Sequence, residues 1–356
     1  MAPESARETA AGPSSILFQS SNGASAVVLL DVPRSLEEAQ VPAGLQPSAR
    51  ILSGAPPLEP FTTPEAAAGH GMRGCSPSAG ARIADLMAAA AAQSALDQLR
   101  CRYSGPFCLP RLCDHPPDGS GPIAAVACAS AEASLAFGAR IPPGAEYLHG
   151  SIQDLRRTFI DRAPQFRLIV IDPPWPNRSA RRKKTGGYNI ASSLSDVRRL
   201  LSSIPVPSHL ASDGLVAVWI TNKPSILDLV TSPKGLFASW GLELIAQWTW
   251  LKITPSGEPI FDMESTWRKP WETLLIAKRM GAKAPSALKP QVVVAVPDIH
   301  SRKPNLRRLF EDVLGQDYIA LEVFARNLTA GWWSWGDQVL RFQSSGHWVD
   351  GGDFRK

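Results

Sequence analysis

The chain has 356 residues, of which 44% are hydrophobic and 19% charged, and carries a formal net charge of +5 at pH 7. That length and apolar content allow one large domain with an extension, or two domains, and the mild basic excess is compatible with a nucleic-acid partner without requiring one. No apolar run reaches the roughly 18 residues a membrane-spanning helix needs. The opening Met1-Ala2-Pro3-Glu4-Ser5-Ala6-Arg7-Glu8 has acids and no hydrophobic signal core, so neither membrane nor secreted location is expected.

Two residue types divide the chain. All five cysteines (Cys75, Cys101, Cys108, Cys113, Cys128) lie in the first 128 residues, and all eleven tryptophans lie from Trp175 onward. The odd cysteine count fits free thiols in a reducing compartment. Cys101, Cys108, Cys113 and His115 contain no Cys-x-x-Cys and match no common zinc spacing, so no metal site is expected.

In chain order, residues 1–14 are polar and alanine-rich and read as disordered. Ser15–Gln19 and Ala26–Asp31 flank Asn22-Gly23, a hairpin signal. Ser35, with Glu38 three residues on, predicts a short helix capped by Ser35. Residues 41–81 and 102–145 are rich in Pro, Gly, Ala and Ser and read as linker. Between them the alanine-dense Ile83–Leu99 predicts a helix.

From Glu146 the texture changes. Apolar runs of strand length recur at Arg167–Ile171, Gly214–Ile220, Glu243–Trp250, Thr273–Ala277, Val292–Val296 and Tyr318–Phe324. Helical patterns lie between some of them, at Ser195–Leu201 after Ser193, at Ser225–Val230 and at Asn305–Val313. The alternation predicts an α/β sheet of Rossmann type. Neither a Walker A sequence nor G-x-G-x-x-G is present, so a phosphate cradle of either kind is not supported. The expected organisation is an N-terminal extension over 1–145 (hairpin, helix and linkers, partly disordered), a main domain over 146–345 and a tail over 346–356.

The chemistry concentrates where the first of these strands ends, at Asp172-Pro173-Pro174-Trp175. The run before Asp172 shows no polar alternation and reads as a fully buried strand, and open α/β sheets place their chemistry just past strand carboxyl ends. Two prolines give a stiff turn whose backbone offers acceptors only. With a carboxylate added, the turn seeks a donor such as an exocyclic amino group. Trp175 adds a flat face for a base, worth roughly 1–3 kcal/mol in single-stranded nucleic-acid sites. Asn177 follows, and then five basic residues in seven, Arg178, Arg181, Arg182, Lys183 and Lys184. They read as a phosphate-holding loop, a solvated loop or an import signal. Trp248 and Trp250 alternate and share one strand face, as core or as stacking surface. Lys303, between a strand and a helix, suits a ligand carboxylate. Glu322–Asn327 and Asp337-Gln338 end in polar groups of the kind that bind ribose hydroxyls.

The ordered strings DPPW, WITNK, QWTWLKI, RKPWE, HSRKP, LEVFARN and WSWG are together highly specific. Over roughly residues 147–343 the sequence resembles the MT-A-type adenine-N6 methyltransferases, most of all their methyltransferase-like-four branch. The resemblance implies a Rossmann-like methyltransferase domain using S-adenosyl-L-methionine, with Asp172, Pro173, Pro174 and Trp175 as the catalytic turn. It places Asp172 near the methionine amino group and the target N6, and Lys303 on the methionine carboxylate. Glu322, Phe324, Arg326, Asn327, Asp337 and Gln338 would hold the rest of the cofactor, with Ser151 and Ile152 beside its adenine. Asp337 departs from the asparagine usual after the glycine, which puts its hydrogen bonds in question. Substrate contacts are expected from Asn177, Arg178, Arg181, Arg182, Lys183, Lys184, Tyr188, Trp219, Asn222, Trp248, Lys252 and Lys269. The implied substrate is an internal 2′-O-methyladenosine of U2-type small nuclear RNA, with DNA adenine competing. A nuclear monomer is expected, also present in the cytoplasm, with no obligate protein partner. A silent RNA-binding scaffold is the alternative, and retention of both Asp172 and Trp175 speaks against it.

Replacing Arg181, Arg182, Lys183 and Lys184 together by alanine is expected to weaken nucleic-acid binding and reduce the slope of log Kd against log salt. An unchanged slope would return these residues to a solvated loop.

Overall fold

The structure is a computed structural model and describes residues 13–21, 25–62, 79–113, 138–176, 193–265 and 268–351. The strands are β1 (Ile16–Ser20), β2 (Ala26–Leu30), β3 (Ala49–Ser53), β4 (Leu112–Cys113), β5 (Glu146–His149), β6 (Phe166–Ile171), β7 (Leu210–Ile220), β8 (Leu242–Lys252), β9 (Trp271–Arg279), β10 (Gln291–Ala295), β11 (Ala320–Val323), β12 (Trp333–Gly336) and β13 (Trp348–Asp350). The helices are α1 (Val32–Glu38), α2 (Ala79–Arg102), α3 (Ile152–Arg162), α4 (Leu194–Ser202), α5 (Val206–His209), α6 (Pro224–Thr231), α7 (Leu236–Ser239) and α8 (Arg307–Leu314).

Among the described residues, ten strands form one sheet in the order β1-β2-β10-β8-β9-β7-β6-β11-β12-β5. Only β1, against β2, and β9, against β7 and β8, run antiparallel; the other pairings are parallel. Strand β6 shows why its sequence is a continuous apolar run. Leu168 and Val170 enter one core, Ile169 and Ile171 the other, so both faces are covered. From β6 the chain moves outward through β7 to β10, and α8 then returns it to β11 on the other flank of β6. Strand order reverses between β6 and β11, the place where open α/β sheets bind ligands.

The front of the chain belongs to this sheet. The β1–β2 hairpin, in the place the Asn-Gly signal marked, lays β2 parallel on β10. Helix α2 covers these strands with Ala88, Ala92, Ala95, Leu96 and Leu99 against Val27, Leu29, Val292 and Val294, its alanines permitting close approach. A three-stranded sheet, β13-β3-β4, joins the front and tail of the chain.

Several expectations need correction. Ser35 does not cap α1. The helix begins four residues earlier, with Pro33 in its first turn and Asp31 as cap, whose carboxylate accepts the Arg34 N–H at 2.9 Å. Ser35 instead donates to Val32 O and accepts the Asn305 N–H, and Glu38 turns back to Ser15. Helix α3 and strands β3, β4, β5, β12 and β13 were not expected. Helix α3 carries a legible start, since the Ser151 hydroxyl accepts the Asp154 N–H.

Trp248 is fully enclosed, its ring on Phe310 at 4.7 Å and its indole N–H donating to Lys289 O at 2.9 Å. Trp248→Ala is expected to cost about 3–5 kcal/mol of stability, read as a lower urea midpoint at constant m-value.

Candidate active site

The carboxyl ends of β6, β7, β8, β10 and β11 meet on one edge of the sheet, joined there by the amino end of the reversed β9. Asp172 leaves β6 with its N–H bonded to Val323 O at the end of β11 (3.2 Å). Its carboxylate is shared. One oxygen lies 3.6 Å from Lys303 Nζ, the other 3.4 Å from Arg326 Nη1. Lys303 also donates to Glu272 at 2.5 Å, and Lys252 takes the other Glu272 oxygen at 2.5 Å. The two ammonium groups rest on indoles: Lys252 Nζ is 4.4 Å from the Trp250 ring centre, Lys303 Nζ 5.1 Å from that of Trp219.

These groups set one another's charge. Burial works to raise the Glu272 carboxyl, but Lys303 and Lys252 overcome it and hold it well below the usual carboxylate range. Burial likewise works against the Lys303 ammonium, and Asp172 and Glu272 outweigh it, keeping the amine charged. Glu322 on β11 has the opposite fate. Burial, then the Asp172 carboxylate, push it up to about 7, beyond what Arg326 and Lys303 offset. His300 is lowered, first by burial and then by Arg326 and Lys252.

The Pro-Pro turn is braced. The Trp175 N–H donates to Pro173 O at 2.8 Å, its indole N–H to Trp219 O at 2.8 Å, and Lys223 Nζ to Pro176 O at 2.6 Å. Trp175 stays half-buried, its ring edge fixed. Behind the turn a crevice is lined by Val170, Trp219, Lys303, Glu322, Asn327 and Trp332, among others. Two non-glycine residues beside it take left-handed backbone, Ser301 (φ 72°) and Phe324 (φ 61°). Such strain persists where surroundings over-determine it. The Phe324 N–H donates to Trp335 O at 2.7 Å, and a Cβ at Gly336 would stand 3.1 Å from Phe324 Cα, so glycine is needed there.

The structure therefore brings together Asp172, Lys303, Glu322, Arg326, Asn327, Trp219 and Lys252. At the ends of β5 and β12, the residues before Ser151 meet those at Asp337: Gly150 N–H bonds Gly336 O, and His149 Nε2 lies 3.1 Å from Asp337 O. Other assignments change. Ile152 is a core side chain, so only its backbone can face a ligand. Ser151 is occupied as the α3 cap, and Gln338 Oε1 accepts from Arg341. Trp248 is core, two residues deeper along β8 than Trp250, under α8. Lys269 pairs with Asp85 of α2 at 3.4 Å and lies over Trp271. Asn222 bonds Trp271 O, tying two strand ends. Asn177, Arg178, Arg181, Arg182, Lys183, Lys184 and Tyr188 lie outside the described residues, as does His115. Missed by the sequence reading were Glu272 and the role of Trp250. Glu272 stands first among polar residues in an apolar strand, but only the reversal of β9 brings it here.

This arrangement has relatives. The family model described as MT-A70 matches residues 166–338. The "N6-methyladenosine RNA methyltransferase MTA1" of Cryphonectria parasitica is 52% identical over 344 residues, 94% of this chain and 94% of that protein. The chain belongs to the MT-A70 family. A protein of the same name from Pyricularia oryzae is 46% identical, over 94% of this chain and 96% of its own. The "N(6)-adenine-specific methyltransferase METTL4" of Mus musculus is 36% identical over 59% of this chain and 45% of that protein. The protein is thus an MT-A70 adenine-N6 methyltransferase, and Asp172 to Trp175 and Lys303 fall within the matched span.

Glu322→Gln tests the charge pattern. The native Glu322 carboxyl keeps its proton to about pH 7, while an unfolded one ionises near 4.5. Across that window the native state holds the extra proton, so wild-type stability falls as pH rises, by up to about 1.4 kcal/mol per unit. Denaturant titrations are expected to show the Gln variant gaining on wild type between pH 4.5 and 7, with a level difference above and below. A pH-independent difference would refute the buried acid.

Proposed function

We propose that this MT-A70 protein transfers a methyl group from S-adenosylmethionine to adenine N6 in RNA. The observation that carries the reading is Asp172, held between Lys303 and Arg326 at the strand-order reversal and followed by an acceptor-only turn. When bound, S-adenosylmethionine supplies a methyl group activated by its sulfonium. The residues present fit its amino-acid end: Lys303 and Arg326 for the carboxylate, Asp172 and Glu322 for the ammonium.

Adenine N6 is a poor nucleophile because its lone pair is delocalised into the ring. Asp172 accepts one N6 hydrogen. Pro173 O already takes the Trp175 N–H, and its second lone pair is available for the other hydrogen. Held so, the amino group is aligned for in-line attack, and alignment supplies much of the rate. The transferred-to nitrogen becomes acidic and sheds its proton to the adjacent carboxylate or solvent, so no strong base is required. The target base must be unstacked or in a single strand to reach this turn.

RNA is favoured over DNA because the two relatives matched along 94% of the chain carry that substrate in their names. An internal 2′-O-methyladenosine of small nuclear RNA is the finer target, supported by the sequence resemblance to the METTL4-like branch. A nuclear monomer is proposed on the same ground.

The purified protein is expected to label single-stranded RNA oligonucleotides from radiolabelled donor in preference to DNA of the same sequence, and 2′-O-methylated RNA above unmodified RNA. Asp172→Asn is expected to lose at least about 100-fold in rate with its fold intact. Preference for DNA would overturn the RNA assignment, and full activity of Asp172→Asn would overturn the role of the turn.

A further inference from the structure

A second charge cluster lies behind the loop that carries Lys303, outside the site. Asp298 and Arg302 have side chains 0% exposed, and that of Arg111 is 3% exposed. One Asp298 oxygen accepts from Arg302 Nη1 at 2.6 Å. The other accepts the Gly54 N–H at 2.9 Å and lies 3.9 Å from Arg111 Nη1. Arg302 also donates to Leu52 O, and Arg111 spans Gly54 O (3.1 Å) and Val296 O (3.0 Å). The Arg302 guanidinium lies 4.6 Å over the Phe342 ring.

Two guanidinium groups thus share one carboxylate. Arg302 Nε and Nη2 and Arg111 Nε have no partner among the described residues. Buried surplus charge of this kind is a poor way to gain stability. What it does fix is position. A Cβ at Gly54 would meet Ile299 Cγ2 at 2.9 Å, so the front of the chain presses directly on the segment after β10. Within that segment Ser301 takes its left-handed backbone, and its carbonyl receives Arg326 Nη1 at 3.2 Å. Arg302 then points back into the cluster while the next residue, Lys303, reaches Asp172 and Glu272. On the far side, Ser35 accepts the Asn305 N–H and Arg307 donates to Val41 O. The segment is held at both ends by residues 35–54 and 111, all outside the span the family model matches.

We propose that Arg111, Asp298 and Arg302 are positioning residues for methyl transfer, a clamp through which the front third of the chain aims Lys303 into the site. The proposal rests on the reading of Lys303 as ligand of the donor carboxylate. It makes the front third part of the donor site rather than an accessory to it.

The test is a double-mutant cycle in the full-length chain, combining Arg111→Met with Lys303→Met. Donor affinity is measured by calorimetry with S-adenosylmethionine, and melting temperature is recorded in parallel. Arg111→Met is expected to weaken donor binding about tenfold in the wild-type background and less than about twofold in the Lys303→Met background, since its effect passes through Lys303. Arg111→Lys keeps the charge but not the fork between two carbonyls. It serves as a milder probe should Arg111→Met fail to fold, with the same non-additivity expected. Equal losses in both backgrounds would overturn the clamp while leaving the Lys303 assignment standing. Unchanged donor affinity in Lys303→Met alone would overturn that assignment and the clamp with it. Wild-type affinity in a folded Arg111→Met protein would overturn the clamp alone.

Discussion

One ammonium group organises this site. Lys303 Nζ sits between the Asp172 and Glu272 carboxylates and joins them into one cluster. With Lys252 and Arg326 there are three basic side chains around Asp172 and Glu272, and the third carboxyl, Glu322, keeps its proton to about pH 7. Half-buried charges of one sign are tolerated only against charges of the other. Protonation of Glu322 therefore leaves the cluster with an excess of positive charge, which suits a ligand that brings a carboxylate. If that ligand also brings an ammonium, Glu322 can ionise beside it, so loading the site and filling its charge complement are one event.

The sheet makes this possible through a single reversal. In a wholly parallel sheet the first residues of each strand lie at the edge opposite the ligand site. Strand β9 runs backward between β7 and β8, so its first residues, Trp271 and Glu272, arrive among the carboxyl ends of its neighbours. Glu272 can then bridge Lys252 at the end of β8 and Lys303 after β10, two strands that are themselves paired. The indoles of Trp219 and Trp250, 6.1 Å apart, floor the same space and shield the ammonium groups from water.

How much of this could be read in advance depended on how local each signal was. Strand β6 and the turn after it were legible because burial on both faces leaves no polar position from Leu168 to Ile171, and the prolines announce the turn. Lys303 and Arg326 were legible through the resemblance. Glu272 was visible as a charge but carried no role, because its partners lie 20 and 31 residues away and only the order of strands unites them. Trp248 and Trp250 look alike in sequence and share a face, yet one lies under α8 and the other beside Lys252; depth along a strand is not written in its alternation. Ser35 was misjudged for a different reason. A hydroxyl's partner is set by where the helix begins, and Asp31 and Pro33 decide that for α1.

On the proposed role of the turn, its bracing also bears on which base it accepts. Asp172 and Pro173 O both offer lone pairs, and the prolines supply no N–H to turn toward a ligand. An amino group satisfies both acceptors. A keto oxygen, as on guanine C6 or uracil C4, would set acceptor against acceptor and leave groups unpaired at a cost of about 1–3 kcal/mol each. Rejection of keto bases thus follows from what the turn lacks as much as from what it offers. Cytosine, which also presents an amine, is not rejected by this rule.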